Sequence, residues 1–247
     1  MRTTDGADYW DGLAERYAAG RAPSAVDRAT LAAAPPRGAV LELGAGPGVF
    51  TRQALAHPAR RETMSPETLR LPTTTYVATD VSPRFCEMLR ALPVTVICAD
   101  HRAVALPDGG FDAIYAMATL HHLSPGDCAA ALALIAGWLS PGGRFALVED
   151  WAFEPADEAQ RRLVRLRAAL RDATDPGERH PSEAEWTARL EGVGLEVVEV
   201  QRAPRPESLR RYGALTDPGR QADLAWLHEH APAPEIPMSI LIARRAR

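Results

Sequence analysis

Lysine is missing from this 247-residue chain: all 28 basic residues are arginine, set against 32 acidic ones for a net charge of −4. No Lys/Arg block occurs, so the chain lacks the electrostatic footprint of a duplex nucleic-acid or anionic-membrane binder, and neither partner is expected. Cysteine is scarce. Cys86, Cys98 and Cys128 are widely spaced, with no CxxC and no ligand cluster, which excludes a disulfide framework and a cysteine metal site and fits a reducing compartment. No apolar run approaches the ~20 residues needed to span a bilayer. The opening "MRTTDGADYWDGLAERYAAG" is amphipathic and acidic rather than a charged segment followed by an apolar one. These absences lead to the expectation of a soluble, cytoplasmic protein without a metal. The surplus of Arg, Ala and Pro reads as a composition bias of the source genome.

What is present is a core-forming chain, 46% apolar, of a length that suits one α/β domain with insertions. Strand-like runs fall at 39–43, 75–79, 94–98, 111–116, 143–149, 195–201 and 237–243, and most alternate with helical segments at 48–57, 83–91, 126–138 and 182–192. The alternation predicts a doubly wound, mainly parallel seven-stranded sheet with its ligand crevice at the carboxyl ends of the strands. The expected organisation is an N-terminal helical cap over 1–36, a core over 37–150, a helical insertion over 151–181, and a C-terminal part over 182–247 whose segment 203–235 is a further insertion of short helices. Residues 58–74, rich in Pro and Thr, form a loop longer than such a fold requires.

The stretch "VLELGAGPGVF", residues 40–50, runs from a buried strand through Gly44, Gly46 and Gly48 into helical spacing. Glycine permits positive φ and lets a ligand lie on the backbone, so strand, glycine turn and helix describe a nucleotide-type site. A dinucleotide fingerprint needs GxGxxG, but Val49 stands where the third glycine belongs. The spacing is GxGxG. With Glu42 before it, "ELGAGPG" resembles motif I of the class I S-adenosylmethionine-dependent methyltransferases, although a plain turn also accommodates these glycines. Further blocks follow in the family's order. "YVATDVSP" resembles the strand whose acidic residue, Asp80, holds the ribose with Val81 against the adenine; alternatively Asp80 caps the next helix, for which Ser82 is better placed. "VTVICADHRAVALPDGGFDAIYAMATLHHL" is similar to the next two blocks, and the resemblance implies that Asp100 accepts from the adenine amino group, that the His101 main chain meets the ring edge, and that Ala116 and Met117 border the sulfonium. It covers about residues 38–150, including "LSPGGRFALVED", and implies S-adenosyl-L-methionine as cofactor, contacted through Glu42, Gly44, Ala45, Gly46 and Gly48 as well. The spacing from Gly48 to Asp80 exceeds the usual ~20 residues because of the 58–74 insertion.

Methyl transfer from a sulfonium is an in-line displacement, in which positioning matters more than side-chain chemistry. No Asn/Asp-Pro-Pro-aromatic tetrapeptide follows the fourth strand, which speaks against exocyclic amines of nucleic acids, and no carboxylate there would hold magnesium. "ATLHHL" resembles the group acting on small molecules such as quinones and secondary metabolites. His121 is the candidate base and His122 the second, with a packed core histidine as the alternative for each. Trp10, Tyr17 and Trp151, with Phe153 behind them, are candidates for an acceptor pocket, or else helix-packing residues. Glu149 and Asp150 are expected to be solvated. His228 and His230 point to different faces of a helix and make no metal site. Competing functions are another chemistry on the same cofactor, such as carboxyl transfer or cyclisation, a noncatalytic cofactor-binding subunit, and, more distantly, a nicotinamide oxidoreductase. The acceptor is expected to be a small organic molecule, and a homodimer is compatible with the sequence.

Overall fold

A computed structural model describes residues 3–62, 76–149, 152–174 and 180–246. Seven strands form one sheet: β1 (Val40–Leu43), β2 (Tyr76–Asp80), β3 (Thr95–Cys98), β4 (Phe111–Met117), β5 (Leu139–Val148), β6 (Leu195–Pro206) and β7 (Glu235–Arg245). Their order is β3-β2-β1-β4-β5-β7-β6. Strands β1 to β5 pair in parallel, whereas β7 is antiparallel to both β5 and β6. The order reverses between β1 and β4, which places a crevice beyond the carboxyl ends of these two strands. The fold is the α/β, Rossmann-like one expected, with a mixed sheet.

Nine helices occur among the described residues: α1 (Thr3–Gly20), α2 (Ala25–Ala33), α3 (Val49–Ala56), α4 (Pro58–Glu62), α5 (Pro83–Leu89), α6 (Pro125–Trp138), α7 (Glu158–Thr174), α8 (Glu183–Glu191) and α9 (Pro218–His230). Several start on residues that satisfy the free N–H groups of the first turn. Ser24 and Asp27 form a capping box on α2, and Ser182 and Glu185 form another on α8. Ser82 and Ser124 cap α5 and α6, each followed by proline at the first helical position. Within the expected helical insertion over 151–181, the described residues form α7 over Glu158–Thr174.

The central strands are apolar because both faces are covered: β1 is buried throughout, and Ile114, Tyr115, Phe145 and Leu147 have no exposed surface. Two strands are longer than their sequences suggest. β5 begins at Leu139, and β6 continues through Pro204 to Pro206 opposite the start of β7. Proline in a strand argues against a central position, but β6 is an edge, where a missing N–H costs no ladder bond on the open side. The 203–235 segment therefore lends both ends to the sheet and carries α9 between them. Helix α1 reaches the strand ends through Asp11, which accepts the Ser82 hydroxyl at 2.6 Å and the Arg84 N–H at 2.9 Å. These bonds hold the Asp11 carboxyl below its ordinary range.

Candidate functional site

The turn after β1 passes close under the turn after β4. Gly44 has φ +62°, and a Cβ there would lie 2.4 Å from Thr119 Oγ1, so both backbone conformation and space require glycine. Gly46 donates its N–H to Asp80 Oδ2 at 2.8 Å, and Ser82 N–H donates to Asp80 Oδ1 at 2.9 Å. Asp80 is therefore an anchored carboxylate at the end of β2, while the hydroxyl of Ser82 accepts from Phe85 N–H and caps α5. Burial raises the Asp80 pKa, opposed by the N–H groups of Ser82, Gly46 and Val81. These three donors leave acceptor capacity on a carboxylate with about four lone-pair sites.

Gly44, Gly46, Asp80, Val81, Asp100 and Met117 line one open cavity of about 1000 Å³. Trp10 and Tyr17 from α1, with His122 and Leu123 from the turn after β4, line the same cavity. Trp10 meets Tyr17 edge-on at 5.8 Å and His122 edge-on at 5.3 Å, so two rings of α1 pack with one from the turn after β4. Ala116 is fully buried behind this surface. His101 lies in a 3-10 turn following β3, over His101–Ala103. Gly48, at φ +76°, precedes α3 without lining the cavity.

Beyond Asp80 stands a group that sequence reading did not single out. Arg102 donates to Asp100 Oδ1 through its backbone N and its Nε, both at 2.9 Å, and binds Asp127 Oδ1 at 2.5 Å through Nη1. All three side chains line the cavity. The bonds to Asp100 raise the Arg102 pKa further above its ordinary value and keep it charged.

His121 and His122, adjacent in sequence, have different surroundings. Nδ1 of His121 is bonded to Glu149 Oε2, and the ring is 5% exposed. His122 lies on the cavity wall, its ring 4.0 Å from that of His121. Glu149 is not solvated as expected: it is fully buried just past β5, where its Oε1 accepts N–H bonds from Leu120 at 2.7 Å and Thr119 at 3.2 Å. Its partners lie about thirty residues away in sequence, with separations of 28 to 30, so no local pattern discloses the burial. The same turn contains Ala118 at φ +54°, a conformation that L residues adopt rarely and that persists when its surroundings over-determine it. Trp151 and Asp150, and residues 63–74 of the insertion, lie outside the described residues.

A second cavity of about 770 Å³ adjoins the first along Gly44, Gly46, Met117 and Ala118 and includes Glu42 and Ala45. Glu42 Oε2 accepts the Tyr76 hydroxyl at 2.6 Å and the Thr51 hydroxyl at 2.7 Å. Burial pushes its pKa up to about 7 in spite of these bonds. Phe153 packs against the core rather than lining either cavity. Among the described residues no group of three or more His, Cys, Asp or Glu side chains is arranged to hold a metal ion, and no helix is long and apolar enough to cross a membrane.

The fold and this crevice define the class: an α/β protein with the Rossmann-like architecture of the class I methyltransferases. Residues 40–143 match a family model described as a methyltransferase domain, a span that contains the glycine turn, Asp80, Asp100 and both histidines. Similar solved structures include the mitomycin 7-O-methyltransferase MmcR, with 20% identity, a TM-score of 0.58 and coverage of 90% of this chain and 53% of that one. This chain thus spans about half the length of that protein. A 1,6-didemethyltoxoflavin-N1-methyltransferase from Burkholderia thailandensis, solved with bound 1,6-didemethyltoxoflavin and S-adenosylhomocysteine, has 19% identity and a TM-score of 0.55, over 99% of this chain and 84% of that one. The cyclase SpnF shares the fold at 18% identity and a TM-score of 0.58, over 90% and 80% of the two chains. No curated protein matches the chain in sequence. The methyltransferase-domain match and the neighbour solved with S-adenosylhomocysteine make S-adenosylmethionine the group against which this crevice is tested. The residues present fit it: a cradle at Gly44 that a Cβ would fill, and carboxylates at the ends of two neighbouring strands on one cavity.

Proposed function

We propose that this chain transfers the methyl group of S-adenosylmethionine to a small organic acceptor, a secondary metabolite or quinone-like molecule. One observation carries the reading: the carboxylates of Asp80 and Asp100, the Gly44–Gly46 turn, Met117 and the rings of Trp10, Tyr17 and His122 all line a single cavity. Carboxylates are acceptors only, and the cofactor offers hydroxyl and amine donors to them. The ends of β1, β2 and β3 follow one another along the sheet, matching amino-acid, ribose and adenine in sequence. In this reading the backbone at Gly44 and Gly46, with Ala45, Gly48 and Glu42 behind it, faces the amino-acid portion, Asp80 takes the ribose hydroxyls, Val81 and the His101 main chain meet the adenine, and Ala116 and Met117 shape the floor under the sulfonium.

The cofactor supplies an electrophilic methyl on a positive sulfur. The chain has to hold the acceptor atom in line with it and keep water away, which the aromatic wall does. A hydroxyl or phenol must also lose a proton, and here the roles of the two histidines divide. His122 faces the cavity and accepts the proton; His121, bonded to Glu149, orients the turn that presents it. For such an acceptor His122→Ala lowers kcat by about 10²-fold, whereas His121→Ala acts mainly on stability.

Mass spectrometry of an extract incubated with the protein and deuteriomethyl cofactor is the test. A labelled small molecule together with S-adenosylhomocysteine is the expected outcome. Conversion of an extract component without label would replace methyl transfer by another chemistry on the same cofactor, and tight cofactor binding with no turnover would indicate a noncatalytic subunit.

A further inference from the structure

Helix α1 supplies two rings to the cavity, yet it is barely tied to the rest of the fold. Among its described side chains only Ala14 is buried, and none belongs to the contiguous hydrophobic core. Trp10 and Tyr17 stand two turns apart on one face, and both line the cavity. A helix that contains Gly6 and Gly12 is marginal without tertiary packing, which supplies most of a helix's stability. Among the described side chains of α1, those of Tyr17 and Asp11 bind α5. Tyr17 meets Phe85 edge-on at 5.8 Å. Asp11 Oδ1 accepts both the Ser82 hydroxyl at 2.6 Å and the Arg84 N–H at 2.9 Å. Ser82 Oγ takes the next N–H, that of Phe85, at 3.3 Å, so Asp11 and Ser82 together satisfy the free N–H groups that open α5. The Ser82 N–H donates in turn to Asp80 Oδ1, and Asp80 Oδ2 accepts from Gly46. A continuous run of hydrogen bonds thus joins α1 to Asp80 and the glycine turn.

We propose that Asp11 is a positioning residue that latches α1 onto the cavity and thereby sets how fast bound ligands leave it. The inference rests on the assignment of the cofactor to this cavity. Hydrogen bonds to a charged acceptor are the strong ones, and Asp11 makes two of them on a helix that has no core contact to replace them. Few buried contacts place α1 at the low-stability end of the structure, where opening occurs without global unfolding. Release of the latch withdraws Trp10 and Tyr17 together, because both ride on the same helix. A ligand bound against these rings favours the latched state, and loss of Asp11 favours the open one.

Hydrogen exchange read by mass spectrometry on the full unliganded chain, together with the dissociation rate of S-adenosylhomocysteine, tests the latch. Asp11→Ala should speed exchange of the α1 amides about tenfold and leave those of β1 and β4 unchanged. Dissociation of S-adenosylhomocysteine should quicken about threefold, since the open state is more populated. Asp11→Asn keeps a neutral acceptor for both donors and should fall between the two proteins; it also provides the test if Asp11→Ala does not fold. Wild-type exchange in α1 of the folded variants would overturn the proposal. Faster exchange spread equally over α1 and the strands would overturn it too, by reducing Asp11 to a general structural role. A released α1 with an unchanged dissociation rate would overturn the control of ligand exit. Failure of wild type to bind S-adenosylhomocysteine would instead strike at the cofactor assignment, and the exchange comparison on the unliganded chain would still decide the latch.

Discussion

At the cofactor end of the cavity the polar groups come from consecutive strand ends, β1, β2 and β3: backbone N–H groups and two carboxylates, each positioned within a few residues of its own strand. At the acceptor end they come from afar. Trp10 of α1 and His122 after β4 meet only because the fold brings these segments together, and Glu149 after β5, buried behind them, holds the turn at Thr119, Leu120 and His121. The first end is generic for any ligand with this cofactor's order of donors, whereas the second is built from side chains that can differ without disturbing the sheet. Under the proposed function, cofactor recognition rests on local backbone and acceptor recognition on tertiary contacts.

The largest effect is expected from the acceptor end. Glu149→Ala leaves the N–H groups of Thr119 and Leu120 and the His121 ring without their acceptor in a buried site. At about 1–3 kcal/mol for each stranded group, the loss should be about 3–5 kcal/mol in denaturant unfolding. A loss under about 1 kcal/mol would mean that the turn does not depend on Glu149, and the contrast between the two ends would fail.

Glu42 tests the cofactor end through pH. Its folded pKa of about 7 lies above the ordinary carboxyl value of 4.5, so the folded state retains a proton that the unfolded state has already released. The resulting stability is fully present below about pH 4.5 and is lost as pH rises through 7, for about 3 kcal/mol in all. Glu42→Gln keeps an acceptor for Tyr76 and Thr51 and carries no charge. The variant should show a flatter dependence of unfolding free energy on pH between 5 and 8 than wild type, and a parallel dependence in the two proteins would remove Glu42 as its source.

Asp80→Ala should weaken S-adenosylhomocysteine binding by about 2 kcal/mol, since a charged acceptor is removed from a partly desolvated site. Because Gly46 loses its anchor too, some of the effect arises from a looser glycine turn. Calorimetry on a variant with a normal melt gives the answer, and wild-type affinity there would sink the ribose role. Smallest is Trp10→Ala on cofactor affinity, expected within about 1 kcal/mol of wild type because edge-on ring contacts are individually modest. Its larger consequence should fall on the acceptor KM. A cofactor loss as large as that of Asp80→Ala would show that the aromatic wall belongs to the cofactor end after all.

Much of this arrangement was legible in the residues. The central strands announce themselves because runs such as "VLEL" are apolar on both faces, and the glycine spacing with its two downstream carboxylates lies within local segments. Ser82 was readable as the α5 cap, since serine before proline is a helix-start signal at any site. The length of β6 was obscured by Pro204 and Pro206, whose tolerance depends on an edge position that no local pattern states.

The sequence by itself thus determined the parallel core, the glycine turn and the carboxylates Asp80 and Asp100, because each depends on neighbours a few residues away and on the period of one strand or helix. Tertiary structure alone decided that Glu149 is buried rather than solvated, that His122 and not His121 lines the cavity, and that Arg102 bridges Asp100 to Asp127. The reason is physical. Burial and pairing of a polar side chain are set by what the fold packs against it, and those partners stand on strands and helices far away along the chain.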